Sequence, residues 1–205
     1  PEWGGSRNGG TWSDGTVYYE VVPKDAFEKI LWIDSDRFGY MINTVTQAAL
    51  DREKQVVKNE KRQRVDNAPY GYTDEIIRKN LYPKNHPYNW TVIGQLPDLQ
   101  SATLEDVKEF YKQYYGAANA SLVIAGDIEI EETKKLVRQW FGEIPSGPEV
   151  EPIKAMPVEL ETTKNLYFED NFAKLPELRM VYPTVEDYDE DMYALQILGQ
   201  LLSGS

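Results

Sequence analysis

The chain has 205 residues, with 22 Lys and Arg set against 34 Asp and Glu, a formal net charge of −12. That balance excludes a nucleic-acid binder, which needs clustered cations against phosphate, while 41 % hydrophobic and 12 % aromatic residues exclude a disordered chain. No apolar run is long enough for a transmembrane helix; with no Cys and a single His, His86, these residues alone make neither a disulfide nor a His-rich zinc site.

In chain order, residues 1–15 are Gly-rich and read as a loop leading into an extended segment. Thr16 to Val22 is β-branched and aromatic and is closed by Pro23, the pattern of a strand. A helix follows with Asp25 as its N-cap, apolar positions at Phe27, Ile30, Leu31 and Ile33, and Gly39 as its stop. The next helix starts near Thr46, runs to about Val65 and is so charged that only a narrow stripe can face a core. Asp74 to Leu81 is a further helical turn or two, and Tyr82 to Trp90 is a Pro- and Asn-rich loop. Thr103 caps another helix, with Asp106 at the acidic capping-box position and an apolar face of Val107, Phe110, Tyr111 and Tyr114.

Ala120 to Gly126 reads as a buried strand by its continuous apolar run, and Glu131 to Phe141 as a helix ended by Gly142. A Pro-rich linker begins near Ile144 and continues to Pro157. Asn165–Phe168 and Leu178–Tyr182 are strand-like, and the last helix runs from about Asp189 to Leu202. The element order fits an α+β fold, an antiparallel or mixed sheet with helices packed on one face, better than a regular βαβ alternation. Pro1 follows no signal-like segment and Leu201–Ser205 stops as an apolar helix ends, so both termini read as cut from a longer protein.

Chemistry is concentrated in the second long helix. Glu53 and Glu60 are seven residues apart, two helical turns, so their carboxylates point the same way, with Val56 and Val57 between them on the expected core side. By spacing alone the preferred reading is two solvated surface carboxylates. Asn8-Gly9-Gly10-Thr11 reads by composition as a Gly-rich turn as readily as a docking edge. His86, between Asn85 and Pro87, has no ligand partner at metal spacing and reads as a hydrogen-bonded loop anchor.

Several blocks taken together carry a resemblance. Thr16 to Pro23, Leu31 to Arg37, Val56 to Gln63, Pro69-Tyr70-Gly71, His86-Pro87-Tyr88, Leu104 to Tyr115 and Leu122 to Asp127 match in order and spacing. Over essentially its whole length the chain resembles the pitrilysin/insulinase family of zinc metallopeptidases, with a fold like that of mitochondrial processing peptidase. In that family an inverted His-x-x-Glu-His helix supplies two zinc ligands and the general base. A Glu on a later helix completes the site and another Glu, seven residues before it, supports it. The resemblance gives Glu60 the role of distal zinc ligand and Glu53 that of supporting carboxylate. It also makes Asn8 to Thr11 a substrate-docking strand that pairs with the peptide backbone.

No His-x-x-Glu-His occurs in the chain, so the resemblance implies a piece that begins after the catalytic helix. It implies three parts: residues 1–147 from the catalytic-type half, a linker at 148–157, and residues 158–205 opening a second, non-catalytic half. In that second half Leu195, Leu198 and Gly199 stand where His, Glu and His would be, so it binds no zinc. The implied parent is a zinc metalloendopeptidase acting on peptides or unfolded polypeptides, periplasmic rather than cytoplasmic. Its partners would be the absent upstream segment and the rest of the second half, or a separate subunit. The competing expectation is a non-catalytic member that captures peptides or acts as a scaffold.

Overall fold

Two segments separated by Ser13-Asp14 fold back on each other in the computed structural model, which describes residues 4–203. They are β1 (Ser6–Trp12) and β2 (Gly15–Val21), paired antiparallel with Asn8 opposite Tyr19, Gly9 opposite Tyr18 and Gly10 opposite Val17. The pairing of Trp12 with Gly15 around a two-residue loop sets the phase. Asn8–Tyr19 and Gly10–Val17 therefore exchange ladder bonds, while the N–H and C=O of Arg7, Gly9 and Thr11 point to the outer edge. Thr11 and Thr16, an unbonded backbone pair, instead join their hydroxyls at 3.1 Å. The loop expected over residues 1–15, of which 1–3 lie outside the described residues, is thus corrected at Ser6–Trp12: β2 supplies a complete ladder that holds the Gly-rich segment extended.

Pro23, at φ −58°, leads into a 3-10 turn at Lys24–Ala26 and then α1 (Phe27–Gly39). Asp25 lies inside that turn and caps nothing; Ala26 occupies the α1 N-cap position. Thr46 caps α2 (Gln47–Lys61) by accepting the Ala49 N–H at 3.2 Å, and a π-turn at Arg62–Asp66 follows it. Then come α3 (Thr73–Leu81), the short α4 (Leu96–Ser101), which the sequence pattern did not announce, and α5 (Leu104–Tyr114). In α5 the capping box forms as expected: the Thr103 N–H donates to Asp106 at 2.7 Å, and the Asp106 N–H to Thr103 Oγ1 at 3.2 Å. The chain continues into α6 (Ile130–Phe141), capped by Gly142, and α7 (Met192–Ser203).

The described residues up to Arg64, together with Thr91–Lys154, form one compact unit; Val65–Trp90 and the residues from Ala155 onward form another. In the first unit α1 packs on α6, and the face of β2 carrying Tyr18 and Glu20 lies against α1 and the end of α5. Helices on one face of an antiparallel sheet give the α+β class. Leu31, 3 % exposed, and Ala26 are the buried apolar side chains of this core. Gly116 must be glycine, because a Cβ there would sit 2.3 Å from the Ser146 carbonyl oxygen. That close approach lets the Ala117 and Ala118 N–H groups donate to Pro145 and Ser146 at 3.0 and 2.9 Å.

Three expected strands do not form among the described residues. Residues 120–125, 165–168 and 178–182 run without ladder partners, leaving Val123 84 % and Leu178 88 % exposed. A strand is defined by its neighbour, and β1 and β2 are the two that find one here. Nor is the α5 face as broad as its spacing suggests: Val107 and Tyr111 turn inward, while Phe110 and Tyr114 remain exposed with rings 4.8 Å apart. The chain exposes 16362 Å².

Candidate functional site

β1, with Asn8 to Thr11, and α2, with Glu53 and Glu60, are both in the first unit. Along β1 the outward Gly9 N–H donates to the side-chain Oδ1 of its own neighbour Asn8 at 2.8 Å. Gly9 leaves room for what lies beneath it, since a Cβ there would press on the Tyr18 ring and the Val17 carbonyl oxygen, each at 3.3 Å. The edge therefore presents backbone donors and acceptors beside a residue with no side chain. That is the arrangement an extended peptide can join as an added strand. The opposite face of the ribbon, with Trp12, Val17, Tyr19 and Val21, is exposed.

On α2 the two glutamates do lie two turns apart. Glu53 is exposed, and the Glu60 carboxylate, 37 % exposed, takes the Arg64 Nη1 at 2.9 Å. Val57 is half-buried, but Val56 is 56 % exposed, so the core side expected between the glutamates is Val57 alone. The helix is anchored by Lys54, whose ammonium donates to the Gln100 carbonyl at 3.1 Å and to that of Ala102, filling acceptors at the end of α4.

His86 is a buried loop anchor in the second unit. Its Nδ1 accepts the Tyr88 N–H at 3.0 Å and its Nε2 donates to the Met156 carbonyl at 3.1 Å. The rings of Tyr82 and Tyr88 lie 4.6 and 5.1 Å from the imidazole. Among the described residues no group of three or more His, Asp or Glu side chains is arranged to hold a metal. A catalytic zinc needs three protein ligands, and the one carboxylate in question is paired with Arg64. These residues therefore do not by themselves fit a zinc ion, and no reaction step is derived through one.

Sequence reading missed a cluster on the packed face of the β1–β2 ribbon. Arg37 Nη2 on α1 reaches Glu20 Oε1 of β2 at 2.9 Å and Asp34 Oδ1 at 2.8 Å. Its guanidinium carbon stands 5.0 and 5.2 Å from the ring centres of Tyr18 and Phe38. Tyr18 and Tyr115 join hydroxyls at 2.6 Å, and the Tyr111 hydroxyl donates to the Arg37 carbonyl at 3.2 Å and to that of Phe38. Burial, with a proton shared toward Glu20, pushes the Asp34 carboxyl up to about 6 against the pull of Arg37. Burial likewise raises the Tyr115 phenol, and the Tyr18 hydroxyl adds to it. The readable signals were the Asp34-x-x-Arg37 spacing and a glutamate placed inside an aromatic strand.

Residues 101–205 match the family model described as Peptidase M16 inactive domain. The chain belongs to the M16 peptidase family. Zinc protease PqqE of Helicobacter pylori is 32 % identical over 139 residues, 68 % of this chain and 31 % of that protein. The probable mitochondrial-processing peptidase subunit beta of Schizosaccharomyces pombe is 28 % identical over 149 residues, 71 % of this chain and 31 % of its own. Among solved structures, a protease from Helicobacter pylori superposes with a TM-score of 0.69 at 29 % identity, over 77 % of this chain and 38 % of that one. The periplasmic protease PqqL from Escherichia coli shares the fold, with a TM-score of 0.61 at 22 % identity over 76 % of this chain and 17 % of that one. The chain spans about a third of the length of the curated relatives it matches.

Proposed function

We propose that this chain is part of a zinc-dependent metalloendopeptidase that hydrolyses peptides or unfolded polypeptides. In this reading the chain carries the docking edge and one metal-ligating carboxylate. The observation that carries it is the outer side of β1, where Gly9 directs its N–H away from β2. Asn8, Gly9, Gly10 and Thr11 would receive an extended peptide as a third strand, with main-chain bonds giving affinity and side-chain pockets selectivity. Glu60 is the proposed distal zinc ligand and Glu53 the carboxylate that supports it; their shared direction on α2 supports the pairing. The other ligands and the general base would come from a His-x-x-Glu-His helix outside these residues. The chain alone would therefore be inactive.

Residues 1–147 are read as the later part of the catalytic-type half, 148–157 as linker, and 158–205 as the opening of the non-catalytic half. The hydrogen bonds from Ala117 and Ala118 to Pro145 and Ser146 support a first part that runs to the start of the linker. The partners are a peptide substrate and either the remaining segments of one longer chain or a separate subunit, as the relatives named for a beta subunit suggest. The compartment is read as periplasmic, which immunodetection in fractionated cells would test. A second reading, a non-catalytic peptide-capturing member, is favoured by the family model itself, whose description is of an inactive domain.

The test of docking is binding of a fluorescein-labelled unstructured peptide to the 205-residue chain, followed by anisotropy. Gly9→Pro removes the outward donor and fixes φ, so it should abolish binding while leaving the β1–β2 ladder and the melting temperature nearly unchanged. Undiminished binding would make the segment only a ribbon. For the metal, dialysed chain should hold no stoichiometric zinc, and near-equimolar zinc lost on Glu60→Gln would sink the partial-site reading. In the longer parent, Glu60→Gln should strip zinc, and Glu53→Gln should weaken it by about ten- to a hundredfold. Negligible effects of both would make them surface glutamates and favour the non-catalytic member.

A further inference from the structure

Glycine at position 9 gives the docking edge room, but it gives the ribbon no grip of its own. The sheet has two strands, and such a ribbon is marginal in water unless one face is packed. On the packed face, Tyr18 lies edge-on to Phe38 with ring centres 5.5 Å apart, and its hydroxyl meets Tyr115. The bond between ribbon and helix that carries charge runs through one nitrogen, Arg37 Nη2, which holds Glu20 of β2 and Asp34 of α1 together. The carboxylates are 10 % and 14 % exposed, so each depends on that cation. Arg7 is the cross-strand neighbour of Glu20 in the register, so the clamp sits one same-face position along β1 from Gly9, which faces Tyr18.

We propose that Arg37 is a positioning residue for peptide capture: by clamping Glu20 to Asp34 it fixes the β1–β2 ribbon on α1 and so sets the outer edge of β1, without touching peptide. The inference rests on the docking function proposed above. An edge that is correctly placed only part of the time binds with an affinity reduced by that fraction. Arg37 should therefore act on binding through the population of a well-placed ribbon. Because one nitrogen makes both bonds, an ammonium in its place can make them too; a neutral side chain cannot.

The experiment compares Arg37→Met, which keeps an apolar stem against Tyr18 and Phe38, with Arg37→Lys, which restores the charge. Labelled-peptide anisotropy and amide exchange of Val17 and Tyr19, two ladder donors of β2, are measured on the 205-residue chain. Arg37→Met should raise the peptide Kd by about tenfold and speed exchange at both amides by a similar factor. Arg37→Lys should recover most of both. Equal loss in Met and Lys variants would assign the residue to packing and overturn the clamp, as would wild-type binding and exchange in Arg37→Met. Should Arg37→Met fail to fold, Glu20→Gln, which keeps the volume and an acceptor but not the charge, should show the same changes at about a third of the size; no change would again overturn it. If the wild-type chain binds no peptide while exchange still responds to charge, docking fails and the clamp stands.

Discussion

The β1–β2 ribbon and the stretch from residue 155 to residue 185 both carry aromatic and β-branched side chains, yet they end in different states. In the ribbon a two-residue loop brings complementary strands together, and Tyr18 and Glu20 then find partners on α1 and at Tyr115. In the later stretch, Leu166 to Phe168 and Leu178 to Tyr182 are extended but unpaired, and most of these side chains face solvent. The contrast teaches that strand-forming composition is not sufficient. What decides is whether a strand finds a partner and a packed face, as β2 does with β1, α1 and Tyr115.

The sharpest way to break this contrast is to empty the core of the ordered region. Leu31→Ala should cost about 2–5 kcal/mol, enough to melt α1 and the ribbon together in a circular-dichroism titration with urea. A loss confined to a few tenths would mean that the ribbon stands without α1. Next in size is the pH response of Asp34, which faces Glu20 from β2 and Arg37 of its own helix, with Arg7 opposite Glu20 and Tyr18, Tyr111 and Tyr115 nearby. The fold raises this carboxyl from 3.8 to about 6, so it favours the protonated form. Its contribution is fully present below pH 3.8 and is lost as the pH climbs through about 6. Asp34→Asn should flatten that part of the stability profile. An unchanged slope would show that the cluster is open to water.

A smaller effect is expected at the α5 cap. Thr103→Ala removes the acceptor for the Asp106 N–H and should cost about 1 kcal/mol by thermal melting. The smallest belongs to the other region: Leu178→Asn should change stability by less than about 0.5 kcal/mol, because its side chain is already solvated. A larger loss would reveal packing in that stretch and erase the contrast. Amides at 178–182 should correspondingly exchange at nearly the rate of an unstructured chain.

Helices were legible because their signals are local. The Thr46 and Thr103 caps, the Asp106 capping box and the Gly142 stop each depend on residues within one turn. Residues 120–125 were misread because an apolar run states a preference for burial and does not state by what. The site was legible in part. Glu53 and Glu60 share a direction through helix geometry alone, but the Arg64 that occupies Glu60 was not anticipated. Arg37 was hidden because its partner Glu20 is 17 residues away on a different kind of element.

One bond on the outer edge has a consequence for how the protein avoids itself. An unpaired strand edge is a template for any other extended chain, including a second copy of the same molecule. Asn8 Oδ1 occupies the Gly9 N–H that such a copy would seize first. A short or poorly aligned intruder gains one bond only by breaking another, whereas a longer peptide that engages Arg7, Gly9 and Thr11 together gains more than it displaces. In the docking reading, an extended peptide that takes the Gly9 N–H must therefore first displace the Asn8 side chain.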